Sequence, residues 1–266
     1  MPEGAVFFLS DAHFCVRDSE KEREKRRRLA AFVERIRGAE RLYIVGDLFD
    51  FWFEYRRVIP RGFMDILYPL RGLVLAGTAV TLIGGNHDYW LGTYLQDEIG
   101  VELAPDGLRA EHQGRRFLID HGDESLRKDR GYRALKKLLR QPAFIATARL
   151  LHPDFTYWAA DRLAGGSRWL DQSERGRRRR ERPLCLSSIL DESFDCLILG
   201  HLHVGFHYLY RNWEILCLGD WIDRFSYARL SGGNLELLDD QGRSYRSEEV
   251  ADPDVAPKDR ILPEEA

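Results

Sequence analysis

Val80-Thr81-Leu82-Ile83-Gly84-Gly85-Asn86-His87-Asp88 joins a short strand-like run to a turn and then to three side chains able to bind metals, phosphate or protons. The arrangement recurs four times. Ala5 to Leu9 runs into Ser10-Asp11-Ala12-His13, and Arg41 to Val45 runs into Gly46-Asp47. Phe117 to Ile119 runs into Asp120-His121-Gly122-Asp123, and Cys196 to Leu199 runs into Gly200-His201-Leu202-His203. Continuous apolar runs are the signature of strands covered on both faces, and open α/β folds place their ligands at the C-terminal ends of such strands. Five strand ends carrying Asp, Asn and His therefore predict an α/β protein with one site built from all of them.

Outward from these runs, Asp18 and Ser19 can cap a helix reaching about Gly38, with Leu29, Phe32, Val33 and Ile36 on its inner face. A second helix is expected over Phe63 to Leu75. Beyond His203 the pattern turns to strands: His207 to Tyr210, Glu214 to Leu218, Tyr227 to Leu230 and Asn234 to Leu238, with Gly232-Gly233 as a hairpin turn. Residues 124 to 193 differ. Tyr132, Leu135, Leu138 and Leu139 repeat at helical spacing, as do Phe144, Ala148 and Leu151 after Pro142, and Phe155, Tyr157, Trp158, Leu163 and Trp169 add apolar bulk. That segment reads as a helical insertion over the core, in a single domain spanning 1–247, and the Pro-rich, charged stretch 248–266 reads as a loose tail.

Composition narrows the class. The 266 residues are 44% hydrophobic and 31% charged, which excludes a disordered chain or a disulfide scaffold. Forty basic against 43 acidic residues give a net charge of -3, so global charge does not mark a nucleic-acid binder, and none is expected as partner. Cys15, Cys185, Cys196 and Cys217 form no CxxC pair, which fits a reducing compartment. No signal peptide and no stretch near the ~18 apolar residues of a membrane span is visible. A cytosolic protein that could touch a membrane without crossing it is the expectation.

Singly, Asp11-x-His13, Gly46-Asp47 and Gly200-His201-x-His203 are weak signals. In order, and at strand ends, they supply the oxygen and nitrogen donors of a divalent-metal site. Seven candidates suggest two metals sharing a carboxylate. Two cations about 3.5–4 Å apart can clamp a phosphoryl group and sharpen a water for in-line attack. The absence of thiolate donors favours Mn(II), Fe or Zn at a working site, with Mn(II) preferred.

The ordered set DxH, GD, GNHD, a single His and GHxH resembles that of the calcineurin-like metallophosphoesterases, over about residues 5 to 240. The resemblance implies a four-layer α/β/β/α sandwich with an inserted helical lid. It implies that Asp11, His13, Asp47, Asn86, His121, His201 and His203 are metal ligands, with Asp47 as the bridge. It also implies that His87 stabilises the phosphoryl oxygens or protonates the leaving group, with Asp88 orienting its imidazole.

A narrower likeness lies in Gly46-Asp47-Leu48-Phe49-Asp50-Phe51-Trp52, His121-Gly122-Asp123, Asp129-x-Gly131-Tyr132 and Leu218-Gly219-Asp220-Trp221. These are similar to the UDP-2,3-diacylglucosamine diphosphatases of lipid A biosynthesis. That implies Mn(II)-dependent cleavage of an acylated nucleotide sugar to UMP and 2,3-diacylglucosamine 1-phosphate. It also implies a place at the cytosolic face of the inner membrane, with peripheral contact to its surface. Asn86, His87, Asp129, Ser167 and His201 would contact substrate. Two positions depart from the family pattern: members carry Arg where this chain has His87, and Glu174 stands where a Lys is expected, with Arg168 or Arg175 as substitutes. A related phosphoesterase acting on another phosphodiester, phosphomonoester or nucleotide, and a non-catalytic metal-binding scaffold, are the alternatives.

Other features have plainer readings. The basic run Arg175 to Arg182 reads first as a solvated face, then as a site for anionic headgroups or substrate phosphate. His112 and His152 read as surface or packing residues, His207 as structural, Trp52 as packing, and Cys15 as without a role. Asp50 reads as a carboxylate that could orient a metal-bound His.

Overall fold

A computed structural model describes residues 4–87, 90–123, 141–160, 162, 189–191 and 193–247. The expected apolar runs are strands, and two further strands join them: β1 (Val6–Leu9), β2 (Arg41–Val45), β3 (Ala79–Ile83), β4 (Glu102–Ala104), β5 (Leu108–His112), β6 (Arg115–Asp120), β7 (Cys196–Leu199), β8 (Gly205–Tyr210), β9 (Trp213–Leu218), β10 (Ser226–Ser231) and β11 (Asn234–Asp239). They form two sheets, one ordered β11-β10-β1-β2-β3-β4 and the other β5-β6-β7-β9-β8. In the first, β1, β2, β3 and β4 run parallel. In the second, β6, β7 and β9 run parallel. Every site motif thus follows a parallel strand, at one end of the molecule.

Alternation of side chains across each strand explains the layering. Phe7, Leu9, Leu42, Ile44, Val80 and Leu82 point outward from the first sheet onto helices α1 (Glu20–Arg35) and α2 (Met64–Leu75). Val6, Phe8, Tyr43, Val45 and Ile83 point the other way and meet Phe117, Ile119, Cys196, Ile198, Leu216 and Leu218 between the sheets. Leu197, Leu199, Phe206, Tyr208, Ile215 and Cys217 form a third buried cluster on the outer face of the second sheet. The fourth, helical layer expected there is not among the described residues.

Ser19 caps α1, its Oγ accepting from the Glu22 N–H at 3.1 Å, and the helix ends three residues before Gly38 because Ile36 has left helical geometry. Buried Leu29, Phe32, Val33 and Ile36 fix that helix to the sheet, each worth about 1.5–3 kcal/mol of apolar burial. The second helix begins with a 3-10 turn at Arg61–Phe63, one residue from the expected start. Ser231 pairs with Asn234 across Gly232-Gly233, both at positive φ, as a two-residue hairpin requires.

Two strands escaped the sequence reading. β4 is three residues long, and β5 has no buried residue to form an apolar run. Of the insertion, helix α3 (Pro142–Ala148) and helical backbone at 153–160 are described. The first expected lid helix, the run Arg175 to Arg182 and the tail 248–266 lie outside the described residues.

Candidate active site

All seven expected ligands converge at the C-terminal ends of the parallel strands, with Asp11 and His13 after β1, Asp47 after β2, Asn86 after β3, His121 after β6, and His201 and His203 after β7. The loops that present them are tightly drawn. The Asp11 N–H donates to the Gly46 carbonyl at 3.1 Å and the His13 N–H to the Asp47 carbonyl at 2.8 Å. Eight non-glycine residues among those described have left-handed φ, and five of them are Asp11, His13, Asp47, His201 and His203. Such backbone costs about 1–3 kcal/mol per residue and gathers at functional sites; Asp and His tolerate it better than most residues. Two glycines make the approach feasible. A Cβ on Gly46, at φ +79, would stand 2.3 Å from His121 Nδ1, and one on Gly85 would stand 2.0 Å from Asp47 Oδ1.

The side-chain geometry centres on Asp47 and Asp11. Asp47 Oδ1 accepts the His87 N–H at 2.9 Å, while its Oδ2 lies 3.4 Å from His121 Nε2 and 3.5 Å from His13 Nε2. Asp11 Oδ2 accepts from Ser10 Oγ at 2.5 Å and from the His201 N–H at 2.9 Å. Its Oδ1 faces His203 Nε2 at 3.5 Å and His13 Nε2 at 3.8 Å. Asn86 Oδ1 sits 3.2 Å from His121 Nε2 and 2.9 Å from His201 Nδ1. The His121 Nδ1 donates to the Val45 carbonyl at 2.9 Å, which turns its Nε2 toward the Asp47 carboxylate.

Three sets of these atoms lie close enough to share an ion: Asp11, His13 and His203; Asp11, Asp47 and His121; and His13, Asp47 and His87. Asp11 Oδ1 and both ring nitrogens of His13 are buried with no hydrogen-bond partner. Buried polar atoms are ordinarily satisfied, and an orphaned carboxylate oxygen facing orphaned imidazole nitrogens is what an oxygen- and nitrogen-liganded cation would complete. The donor set therefore fits divalent metal ions, with Asp47 and Asp11 each belonging to two groups.

Electrostatics agree. Burial opposes charge on every member. Even so, the surrounding imidazoles hold Asp11 below the usual carboxylate range and Asp47 well below it. Against burial, Asp47, Asp11 and Asp50 push His13 up to about 10, and Asp47 pushes His121 well above the usual imidazole range. His201 is pulled down to about 3 by burial and by His121, so its imidazole is neutral.

His87 stands at the mouth, its side chain 17% exposed and its ring edge-on to His13 at 4.7 Å. Its Nδ1 donates to the Asp50 carbonyl at 3.0 Å, which leaves Nε2 available to a ligand. Asp88, Asp129 and Ser167 lie outside the described residues. Three groups that the residue-by-residue reading did not assign hold the imidazoles from behind: the Val45 carbonyl, the Asp50 carbonyl and the Asp220 carboxylate, 3.8 Å from His203 Nδ1. The Gly219-Asp220 pair repeats the Gly-Asp pattern of residues 46–47, a signal that could have marked it. Asp50 Oδ1 does lie 3.8 Å from His13 Nδ1. Trp52 is buried and stacks on Phe49, and Cys15 Sγ faces Glu22 and the Arg17 carbonyl rather than the site.

Beside the site the insertion docks on the loop that follows Asp50. The Tyr157 hydroxyl donates to the Phe53 carbonyl at 3.0 Å, the Tyr55 hydroxyl donates to Thr156 Oγ1 at 2.7 Å, and Arg149 Nε donates to the Glu54 carbonyl at 3.1 Å. Trp90 packs against Phe51, Phe53 and Phe144, and Phe51 against Tyr157. Leu150, Phe155 and Trp158 are exposed on the same segment.

This geometry belongs to a known class. The calcineurin-like phosphoesterase family model matches residues 5–205, and the chain belongs to that family. It is a metallophosphoesterase, and its ligand groups fit a dinuclear centre. Within the family, it is 34% identical over 253 residues to the UDP-2,3-diacylglucosamine hydrolase of Porphyromonas gingivalis, covering 87% of this chain and 96% of that one. It is 29% identical to the enzyme of the same name from an Enterobacter species, covering 88% and 98%. A solved Escherichia coli phosphoesterase, Yfce, aligns over 90% of this chain and 95% of its own at 15% identity and a TM-score of 0.48.

Proposed function

We propose that this enzyme hydrolyses the pyrophosphate of UDP-2,3-diacylglucosamine to UMP and 2,3-diacylglucosamine 1-phosphate. The observation that carries the reading is the 34% identity to a hydrolase of that substrate across 96% of its length. The aromatic wall of Phe51, Phe53, Trp90, Phe144 and Tyr157 beside the ligand set supports an amphiphilic substrate. Polar pyrophosphate and apolar acyl chains would then occupy adjacent surfaces.

In this reading Asp11, His13, Asp47, Asn86, His121, His201 and His203 hold two divalent ions, with Mn(II) the favoured identity. When bound, the pair supplies positive charge beside the phosphoryl oxygens and makes water a better nucleophile. In the hydrolysis a water oxygen would add to one phosphorus as the bridging P–O bond breaks, and the bridging oxygen would leave on the second phosphate. The water gives up a proton and the departing phosphate gains one. His87, anchored through Nδ1 on the Asp50 carbonyl, presents Nε2 to donate it or to hydrogen-bond the phosphoryl oxygen. The left-handed loops bearing Asp11, His13, Asp47, His201 and His203 hold the ligands in place before substrate arrives.

Substrate contacts are assigned to Asn86, His87, Asp129, Ser167 and His201, in one domain over 1–247 whose insertion at 124–193 forms the lid. No helix among the described residues is long and apolar enough to cross a membrane. A cytosolic enzyme in peripheral contact with the inner membrane, where an acylated substrate resides, completes the reading.

The test is UMP release from UDP-2,3-diacylglucosamine with Mn(II), run beside a cyclic nucleotide and an aryl phosphodiester. Preferred turnover of the acylated nucleotide sugar is expected. Preferred turnover of either other substrate reassigns the enzyme to a related phosphoesterase, an outcome to which His87 in place of Arg gives weight. Purified protein that holds no metal and turns over none of them is a scaffold.

A further inference from the structure

We infer that Asp220 is a positioning residue of the metal centre, its carboxylate fixing the imidazole of His203 so that Nε2 points at Asp11. The inference rests on reading His203 as a metal ligand. Asp220 follows β9, outside every motif that supplies the ligands, and is 2% exposed. Its Oδ2 lies 3.8 Å from His203 Nδ1, while His203 Nε2 on the other side of the ring lies 3.5 Å from Asp11 Oδ1. The imidazole is thus bracketed by two carboxylates, one in each direction that its nitrogens point.

Three other imidazoles, those of His121, His87 and His13, show the same design with different anchors. His121 and His87 are held through Nδ1 by backbone carbonyls, and Asp50 Oδ1 stands behind His13 Nδ1. For His203 the corresponding anchor is Asp220. A carboxylate behind a ligating imidazole fixes the tautomer and ring orientation and raises the basicity of the facing nitrogen.

The carboxylate is itself locked. Asp220 Oδ1 accepts three backbone N–H groups, from Ile222 at 2.9 Å, Asp223 at 2.8 Å and Arg224 at 3.1 Å, and Oδ2 accepts from Arg224 Nη1 at 2.8 Å. The same turn is tied to the ligand loops, because the Trp221 N–H donates to the Asp11 carbonyl at 3.2 Å. It closes at Phe225, held at φ 51 against Trp221 and beneath Arg28, a conformation that bulky side chains disfavour.

A turn-capping role alone needs only an oxygen acceptor, which asparagine also supplies. Asp220→Asn therefore separates the two roles, and Asp220→Ala removes both. Metal-stripped wild type, D220N and D220A are titrated with Mn(II) by calorimetry, and the melting point of each stripped protein is recorded. The imidazole 15N shifts of His203 are read in the stripped wild type and D220N. Two ions are expected on wild type. D220N should keep the stripped melting point, bind one of the two ions roughly 10–100-fold more weakly, and change the His203 tautomer signature. Wild-type affinities and shifts in D220N would assign Asp220 to the turn alone. So would a D220N whose ion loss comes with a lowered melting point of the stripped protein. Wild type that takes up no Mn(II) would instead overturn the metal-ligand reading of the site, and this inference with it.

Discussion

Imidazoles at the two ends of the same sandwich are wired in opposite ways. At the N-terminal end of the strands, His112 on β5 has both ring nitrogens satisfied, Nε2 against the Tyr43 hydroxyl at 2.8 Å and Nδ1 against Glu40 at 2.9 Å. His207 is likewise paired with Glu214 at 2.6 Å. At the C-terminal end, His13 is buried and neither nitrogen has a hydrogen-bond partner. The first arrangement is a finished structural contact that staples one sheet to the other. The second leaves buried donors unsatisfied, in an arrangement that fits a cation. What separates His13 from His112 is therefore satisfaction, since their side chains are about equally buried, 7% and 8% exposed.

The strongest way to break this contrast is to delete candidate ligands. Asp47→Ala and His201→Ala are each expected to lower turnover on the order of 10^3-fold or more, measured as Mn(II)-dependent UMP release. Near-wild-type activity in either would remove the two-ion reading. His87→Ala should lower kcat by about 10^2–10^4-fold while both ions stay bound. Loss of an ion, read by metal analysis, would move His87 into the ligand group that it shares with His13 and Asp47.

Metal uptake should also be coupled to protons. With no cation present, Asp47, Asp11 and Asp50 keep His13 protonated up to about 10. A cation must displace that proton, so binding releases it and tightens as pH rises. Affinity should gain up to about tenfold per pH unit between 7 and 8 for one proton displaced. Calorimetry in buffers of different ionisation heat checks this, and proton uptake on binding would contradict it.

At the opposite end the expected effects are on stability. His112→Ala strands the Tyr43 hydroxyl and should cost about 1–3 kcal/mol in denaturant unfolding, with kcat unchanged. His152 is 74% exposed at its side chain and faces Asp154 at 3.8 Å, so His152→Ala should stay within about 0.5 kcal/mol of wild type. A drop in turnover with His112→Ala at full stability would show that the two ends are coupled.

Much of this was legible in the chain because two periodic rules operate locally. Apolar runs such as Phe117 to Ile119 and Cys196 to Leu199 announce buried strands, and the polar residues that follow them announce the cluster, so the seven side chains that converge there could be named before any coordinate. β4 and β5 were not legible: an edge strand with half-exposed residues buries too little apolar surface to leave a pattern. His112 read as a surface or packing residue, because no local feature of Glu111 or Gln113 shows that Tyr43 and Glu40 wait across the sheet.

The chain by itself determined which residue types stand at which strand ends, since donor chemistry and strand periodicity are properties of short segments. Only the tertiary structure decided that Asp47 and Asp11 each belong to two ligand groups, that the Asp50 carbonyl holds His87, and that Asp220 stands behind His203 across an interval of seventeen positions. Those relations join residues from different strands and both sheets. They depend on how the two sheets pack and on the left-handed loops that aim each side chain, and neither is encoded within reach of any one motif.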